Sequence, residues 1–153
     1  MQQDIGQPPV TDTAQIAHWE HFEHKADIGI RGIAPTLAEA FEQAALAMTA
    51  VICDPDCIQE QQSIDITCRA GDIEFLFLDW INELIYRMAV EGLLFRRFQV
   101  VLDDDTLTAT AFGEPADPIK HQPAVEIKGA TLTELRVCQT KDKFWLAQCV
   151  VDV

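Results

Sequence analysis

The chain has 153 residues, 48% of them hydrophobic, and its 25 Asp and Glu against 11 Lys and Arg give a formal net charge of −14. This length and apolar content support one domain with a real core. The negative surface field repels phosphate backbones, so direct nucleic-acid binding is not expected, and any service to RNA would run through a basic protein that itself holds the RNA.

The five cysteines are odd in number, and "MQQDIGQPPV" has neither a basic nor an apolar leader region, which together point to a reducing cytoplasm. The longest apolar run, "IEFLFLDWINELIYRMAV", is interrupted by Glu74, Asp79, Asn82, Glu83 and Arg87, which disqualifies it as a membrane span.

Residues 1–17 mix Gln, Pro, Asp and Thr without periodicity and read as a flexible N-terminal arm before a domain over residues 18–153. "HWEHFEHKADIG" then sets His18, His21 and His24 three apart and invites a metal reading. In a strand, His18 and His24 point to one face and His21 to the other, so three ligands do not converge. In a helix they would share a face, but the spacing fits no familiar zinc pattern and no cysteine lies close by in sequence. "IGIRGIA" reads as a second strand, ended by Pro35.

Thr36 and Glu39 form a capping-box pattern, and Leu37, Phe41, Ala44, Met48 and Ile52 follow at helical spacing. "CDPDC" breaks this helix and reads as a loop, its cysteine spacing and lack of a second pair arguing against a thiolate site. "SIDITCRA" alternates as a half-exposed strand. Asp72 is placed to cap a second helix that runs to Glu91, with Gly92 as its left-handed stop. Apolar residues cover more than one face of that helix, so it is buried deeply or meets a partner.

The rest is strand-like: "FRRFQVVLD" and "TLTATAFGE" flank a "DDDT" turn, and a second hairpin turns around "TKDK". The expected fold is α+β, a single two-layer domain with a mainly antiparallel sheet and two helices packed on one face.

Catalytic patterns are scarce. There is no Gly-x-Ser-x-Gly, no glycine-rich phosphate cradle and no Ser or Cys marked by an orienting His, and "DDDT" lacks the Gly and distal Glu of an EF-hand loop. Gly113 and Glu114 read as the end of a strand, and Lys128 as an exposed strand residue. "CVVDV" sets Asp152 within a residue of the α-carboxylate of Val153, two oxygen donors suited to a hard cation once a third ligand arrives from elsewhere.

Several of these fragments together resemble the archease family. "HKADIGIRGIAPTLAEAFEQAALAMTAVI" is similar to its opening, "LFLDWINELIYRM" to its second helix, and "AFGEP", "KH", "VEIKGATLTELRV" and a terminal "DV" follow in the family's order. The resemblance implies a non-enzymatic activator of an RtcB-type RNA ligase. Such a ligase joins 3′-phosphate or 2′,3′-cyclic phosphate ends to 5′-hydroxyl ends, in tRNA splicing or RNA repair, and its activator promotes guanylylation and multiple turnover. It also implies a divalent metal, Ca²⁺ in known members with Mg²⁺ or Mn²⁺ as alternatives, held by Asp27, Asp152 and the carboxylate of Val153. Lys128, His24, Glu114 and His121 match positions of an adjoining activation surface. Leu132 and Thr133 stand where the family commonly has an aromatic residue and a histidine, so no role of that histidine carries over, and Gly129 replaces a frequent alanine. Two other readings remain: a general metal-binding, chaperone-like interaction module, and a hydrolase built on clustered carboxylates around a metal.

Overall fold

The computed structural model describes residues 16–153, so the expected arm over residues 1–17 lies, except for Ile16 and Ala17, outside the described residues. In chain order the elements are β1 (His18–His24), β2 (Asp27–Ala34), α1 (Leu37–Ile52), β3 (Gln62–Arg69), α2 (Ile73–Glu91), β4 (Leu93–Asp103), β5 (Thr106–Pro115), a one-turn α3 (Pro118–His121), β6 (Gly129–Ala130), β7 (Arg136–Gln139) and β8 (Trp145–Asp152).

Local chemistry explains most boundaries. The Thr36 hydroxyl accepts from the Glu39 N–H at 3.2 Å and donates to the Glu39 carboxylate at 2.9 Å, which starts α1. The Asp72 carboxylate accepts from the N–H groups of Glu74 and Phe75 at 2.8 and 3.1 Å and starts α2. Gly92, at φ 64°, ends it, a conformation that costs glycine nothing. Asp103 pairs with Thr106 across the expected two-residue turn between β4 and β5, with Asp104 left-handed at φ 60°.

All strand pairs are antiparallel, as expected, but they divide into two sheets rather than one. In the five-stranded sheet β2 lies between β1 and β8, and the short β6 and β7 both pair with the far edge of β8. The three-stranded sheet runs β3-β5-β4.

Helix α1 is held by both sheets. The His21 Nε2 lies 2.8 Å from the Ala47 carbonyl on the β1 side, whereas the Thr49 hydroxyl donates to the Phe95 carbonyl of β4 at 2.8 Å. None of its residues is exposed. At Gly32 of β2 the backbone of α1 comes so close that an added Cβ would sit 2.1 Å from the Ala40 carbonyl oxygen.

Trp80, Phe41, Phe77 and Phe95 are fully buried at the centre. The Trp80 indole N–H donates to the Phe41 carbonyl at 3.1 Å, which satisfies the one polar atom that its burial would otherwise strand. The second helix is buried on one side only: Phe75, Tyr86 and Val90 on its far side are 51%, 59% and 62% exposed. Among the described residues no helix is long and apolar enough to cross a membrane.

Candidate functional site

The pairing of β2 with β8 fixes one end of the five-stranded sheet. Ile28 stands opposite Val151, so one step further along the same register Asp27 stands opposite Asp152. On the other side of β2, His24 pairs with Asp27, and on the far side of β8, Gly129 pairs with Asp152. Directly opposed residues share a face of the sheet, so His24, Asp27 and Asp152 lie together on the face turned away from α1. Ile30, Gly32 and Ala34 occupy the buried face.

Backbone contacts hold this end in shape. The Lys128 N–H donates to the Asp152 carbonyl at 2.7 Å, which sets Lys128 beside β8 just ahead of β6. Lys128 belongs to no strand, contrary to expectation, because only Gly129 and Ala130 of its segment pair with β8. Val153 follows the alternation inward and packs against the core. Asp27 is half-buried and Asp152 exposed. Neither enters a salt bridge among the described residues.

Asp27, Asp152 and the Val153 carboxylate, the expected ligands, would offer a cation only hard oxygens. Like charges directly opposed across a ladder repel, and a hard divalent cation relieves that repulsion, so the donor chemistry fits Ca²⁺ or Mg²⁺. With two side chains in the set, the third donor would have to be the main-chain carboxylate of Val153. Among the described residues no three His, Cys, Asp or Glu side chains cluster closely enough to hold a metal. The three histidines of "HWEHFEH" do not converge, since His21 turns to α1 while the His18 ring reaches Glu20 at 3.1 Å on the other face.

Two residues to which the sequence reading gave no role at the site shape it. The Asn82 Oδ1 of α2 accepts from the Ala130 N–H at 2.9 Å and pins β6 beside Asp152. Its only signal in the sequence is a polar residue interrupting an apolar helix. The Phe22 ring lies directly on Gly29, where an added Cβ would come within 2.3 Å of ring carbons. That contact accounts for the glycine of "ADIG". At Gly129 the nearest atom to an added Cβ is the Asn82 Oδ1 at 3.6 Å, ordinary contact, so alanine fits there and the exchange with the family residue is structurally mild.

Glu114 and His121, expected on the same surface, form a separate buried group, 3% and 4% exposed. The Glu114 carboxylate accepts from the Gln59 N–H at 2.9 Å, from the Lys120 ammonium at 2.8 Å and from the His121 Nε2 at 2.8 Å. Because the His121 Nδ1 accepts from the Asp117 N–H at 2.9 Å, the ring proton sits on Nε2. The Lys120 ammonium, the His121 ring and the Gln59 N–H hold the Glu114 carboxyl down at about 2. Glu114 thus fastens segment 59–61 and α3 to the end of β5. Residues 122–128 run from this group to the sheet end.

Residues 19–153 match the model of the Archease protein family. The chain belongs to the archease family. Relatives named protein archease include one from Pyrococcus furiosus, 41% identical over 142 residues, covering 90% of this chain and 100% of the relative. Another, from Methanosarcina barkeri, is 37% identical over 147 residues, covering 92% of this chain and 99% of the relative. The solution structure of a Methanobacterium thermoautotrophicum protein superposes with a TM-score of 0.78 at 31% identity, covering 88% of this chain and 98% of that one. The crystal structure of a Thermotoga maritima archease, named as a possible chaperone, shares the fold, with a TM-score of 0.58 at 18% identity, covering 86% of this chain and 94% of that one.

Proposed function

We propose that this protein is a non-catalytic accessory factor of an RtcB-type RNA ligase in the cytoplasm, promoting the ligase's guanylylation and multiple turnover in tRNA splicing or RNA repair. The observation that carries the reading is the register that sets Asp27, the first residue of β2, opposite Asp152, the last residue of β8, which Val153 follows. A sheet end built from the first and last strands, with opposed carboxylates and, among the described residues, no salt bridge to neutralise them, suits a divalent cation better than a structural role.

Asp27, Asp152 and the Val153 carboxylate are the residues that would hold Ca²⁺, with Mg²⁺ or Mn²⁺ as alternatives. The cation would supply a positive centre on an otherwise repulsive tip. Lys128 adds a second positive charge there, and His24 completes the rim. The residues of this tip act on the ligase only by having unequal affinity for its conformations, so activation requires that the tip bind the guanylylation-competent state more tightly.

The test is guanylylation of the cognate ligase by labelled GTP, with and without this protein, across added Ca²⁺, Mg²⁺ and Mn²⁺. Stimulation in at least one metal condition is the expected result, and no stimulation in any of them removes the reading. The exposed Phe75, Tyr86 and Val90 on α2 favour one second reading, a chaperone-like module for many proteins. Suppressed aggregation of an unrelated unfolding protein, together with unselective capture of partners, would favour that module instead.

A further inference from the structure

Residues 116–128 form a strap from the end of β5 to the sheet end, and few backbone bonds fasten it to the rest of the fold. The Ala116 N–H donates to the Gly92 carbonyl and the Ala124 N–H to the Ile52 carbonyl, both at 2.8 Å, and the Lys128 N–H donates to the Asp152 carbonyl at 2.7 Å. Gln122, Pro123, Ala124 and Glu126 are exposed. An open apolar groove of about 470 Å³ is lined by residues 123–127 and by Ile85 and Met88 of α2, so close packing against that helix does not by itself fix the path of the strap.

We infer that Glu114 and His121 are positioning residues for the sheet end: acting through the strap, they set where Lys128 stands beside Asp152 and so govern stimulation of the ligase from inside the fold. The inference rests on the function proposed above and deepens it.

The root of the strap is held far more firmly than its middle. A one-turn helix such as α3 has little stability of its own, but here its last residue is gripped at both ring nitrogens. The His121 Nδ1 accepts from the Asp117 N–H and the Nε2 donates to Glu114, which leaves the buried ring one orientation. The Asp117 carboxylate adds bonds from the N–H groups of Ile119 and Lys120 at 3.0 and 3.3 Å. Gln122 then leaves the helix at φ 47°, a left-handed backbone that a residue with a side chain keeps only where its surroundings enforce it. The strap therefore departs from the Glu114 network in a fixed direction, with the Ala124 tie as its one backbone bond to the rest of the fold before Lys128. A network serving stability alone would not single out Lys128, so the two roles part at the Lys128 amide.

The test is amide hydrogen exchange read by NMR, together with multiple-turnover ligation by the cognate ligase, on the wild type, Glu114→Gln, His121→Asn and His121→Gln, well below every melting midpoint. Asn keeps an acceptor where Nδ1 stood but does not reach Glu114, whereas Gln keeps a donor where Nε2 stood. The Lys128 amide should exchange about tenfold faster or more in Glu114→Gln and His121→Asn, the weight of one hydrogen bond to a charged group, and near the wild-type rate in His121→Gln. The Cys149 and Val151 amides inside β8 should keep their wild-type rates in all three. Ligase stimulation should fall in the same order as Lys128 protection. Wild-type exchange at Lys128 in both weakened variants, equal loss in His121→Asn and His121→Gln, or full stimulation despite lost protection each overturns the inference and leaves the proposed function standing. No stimulation by the wild type removes the proposed function and the inference with it. If Glu114→Gln does not fold, His121→Asn decides alone; faster exchange at Cys149 and Val151 in that variant would make the network a support of the whole fold and overturn the inference.

Discussion

Gly32→Ala tests whether α1 is clamped against the sheet. The new Cβ would lie 2.1 Å from the Ala40 carbonyl oxygen and 2.4 Å from the Ala44 nitrogen, where real Cβ contacts do not fall below 3.0 Å. Both obstacles are helix backbone, so α1 must retreat by about 0.9 Å, the difference between 2.1 and 3.0 Å. A gap of 0.5–1 Å forfeits roughly a quarter to a half of a dispersion contact, and the fully buried Phe41, Ala44, Ala45 and Met48 all sit on the helix that would move. Overpacking of a tight core costs about 1–3 kcal/mol, and the upper end is expected because the neighbour cannot rotate away. At roughly 2–4 °C per kcal/mol for a chain of this size, about 3 kcal/mol lowers the melting temperature by about 6–12 °C. The assay is thermal unfolding followed by circular dichroism, with Ca²⁺ titration as the control. A loss under about 2 °C would refute the reasoning, because α1 would then be free to give way.

Other outcomes follow from the site and its supports. Saturating Ca²⁺ at a hundredfold excess over its dissociation constant should stabilise the wild type by about 2.7 kcal/mol. Asp27→Asn should abolish that shift while leaving the metal-free protein as stable or slightly more so, since a pair of opposed carboxylates is gone; a full Ca²⁺ shift in the variant rules out Asp27 as a ligand. Asn82→Ala removes the acceptor for the Ala130 N–H and should cost about 1 kcal/mol and weaken Ca²⁺ binding, with Asn82→Asp restoring both. Unchanged Ca²⁺ affinity in Asn82→Ala would separate β6 from the site. Glu114 is held at about 2, below its ordinary 4.5, so its stabilisation is complete above pH 4.5 and disappears as the pH falls toward 2. The melting-temperature gap between wild type and Glu114→Gln should therefore be constant above pH 5 and close between pH 4.5 and 2; a gap that persists at pH 2 contradicts the assignment.

Local chemistry made the helices legible. Thr36, Asp72 and Gly92 mark their ends through bonds that neighbours in sequence supply, and the alternation of β3 and the aspartate turn after β4 are equally local. The division into two sheets was not legible. It depends on β2 choosing β8, more than a hundred residues away, and on β6 and β7 sharing one edge of that strand, which no period in the sequence encodes. At the site, strand parity was enough to separate His21 from His18 and His24. The opposition of Asp27 and Asp152, by contrast, followed only from family resemblance until the register was known. Glu114 was legible as the end of a strand, but its buried network was not, because Gln59 comes from a loop more than fifty residues earlier and His121 from α3.

The most direct test of the central claim is multiple-turnover ligation by the cognate ligase with Ca²⁺ present, comparing wild type with Asp27→Ala. Asp27 packs into no core and lies at a turn, so the variant should keep its fold and melting temperature. Many turnovers per ligase are expected with the wild type and a return to the unassisted level with Asp27→Ala. Equal stimulation by the two proteins would contradict the claim.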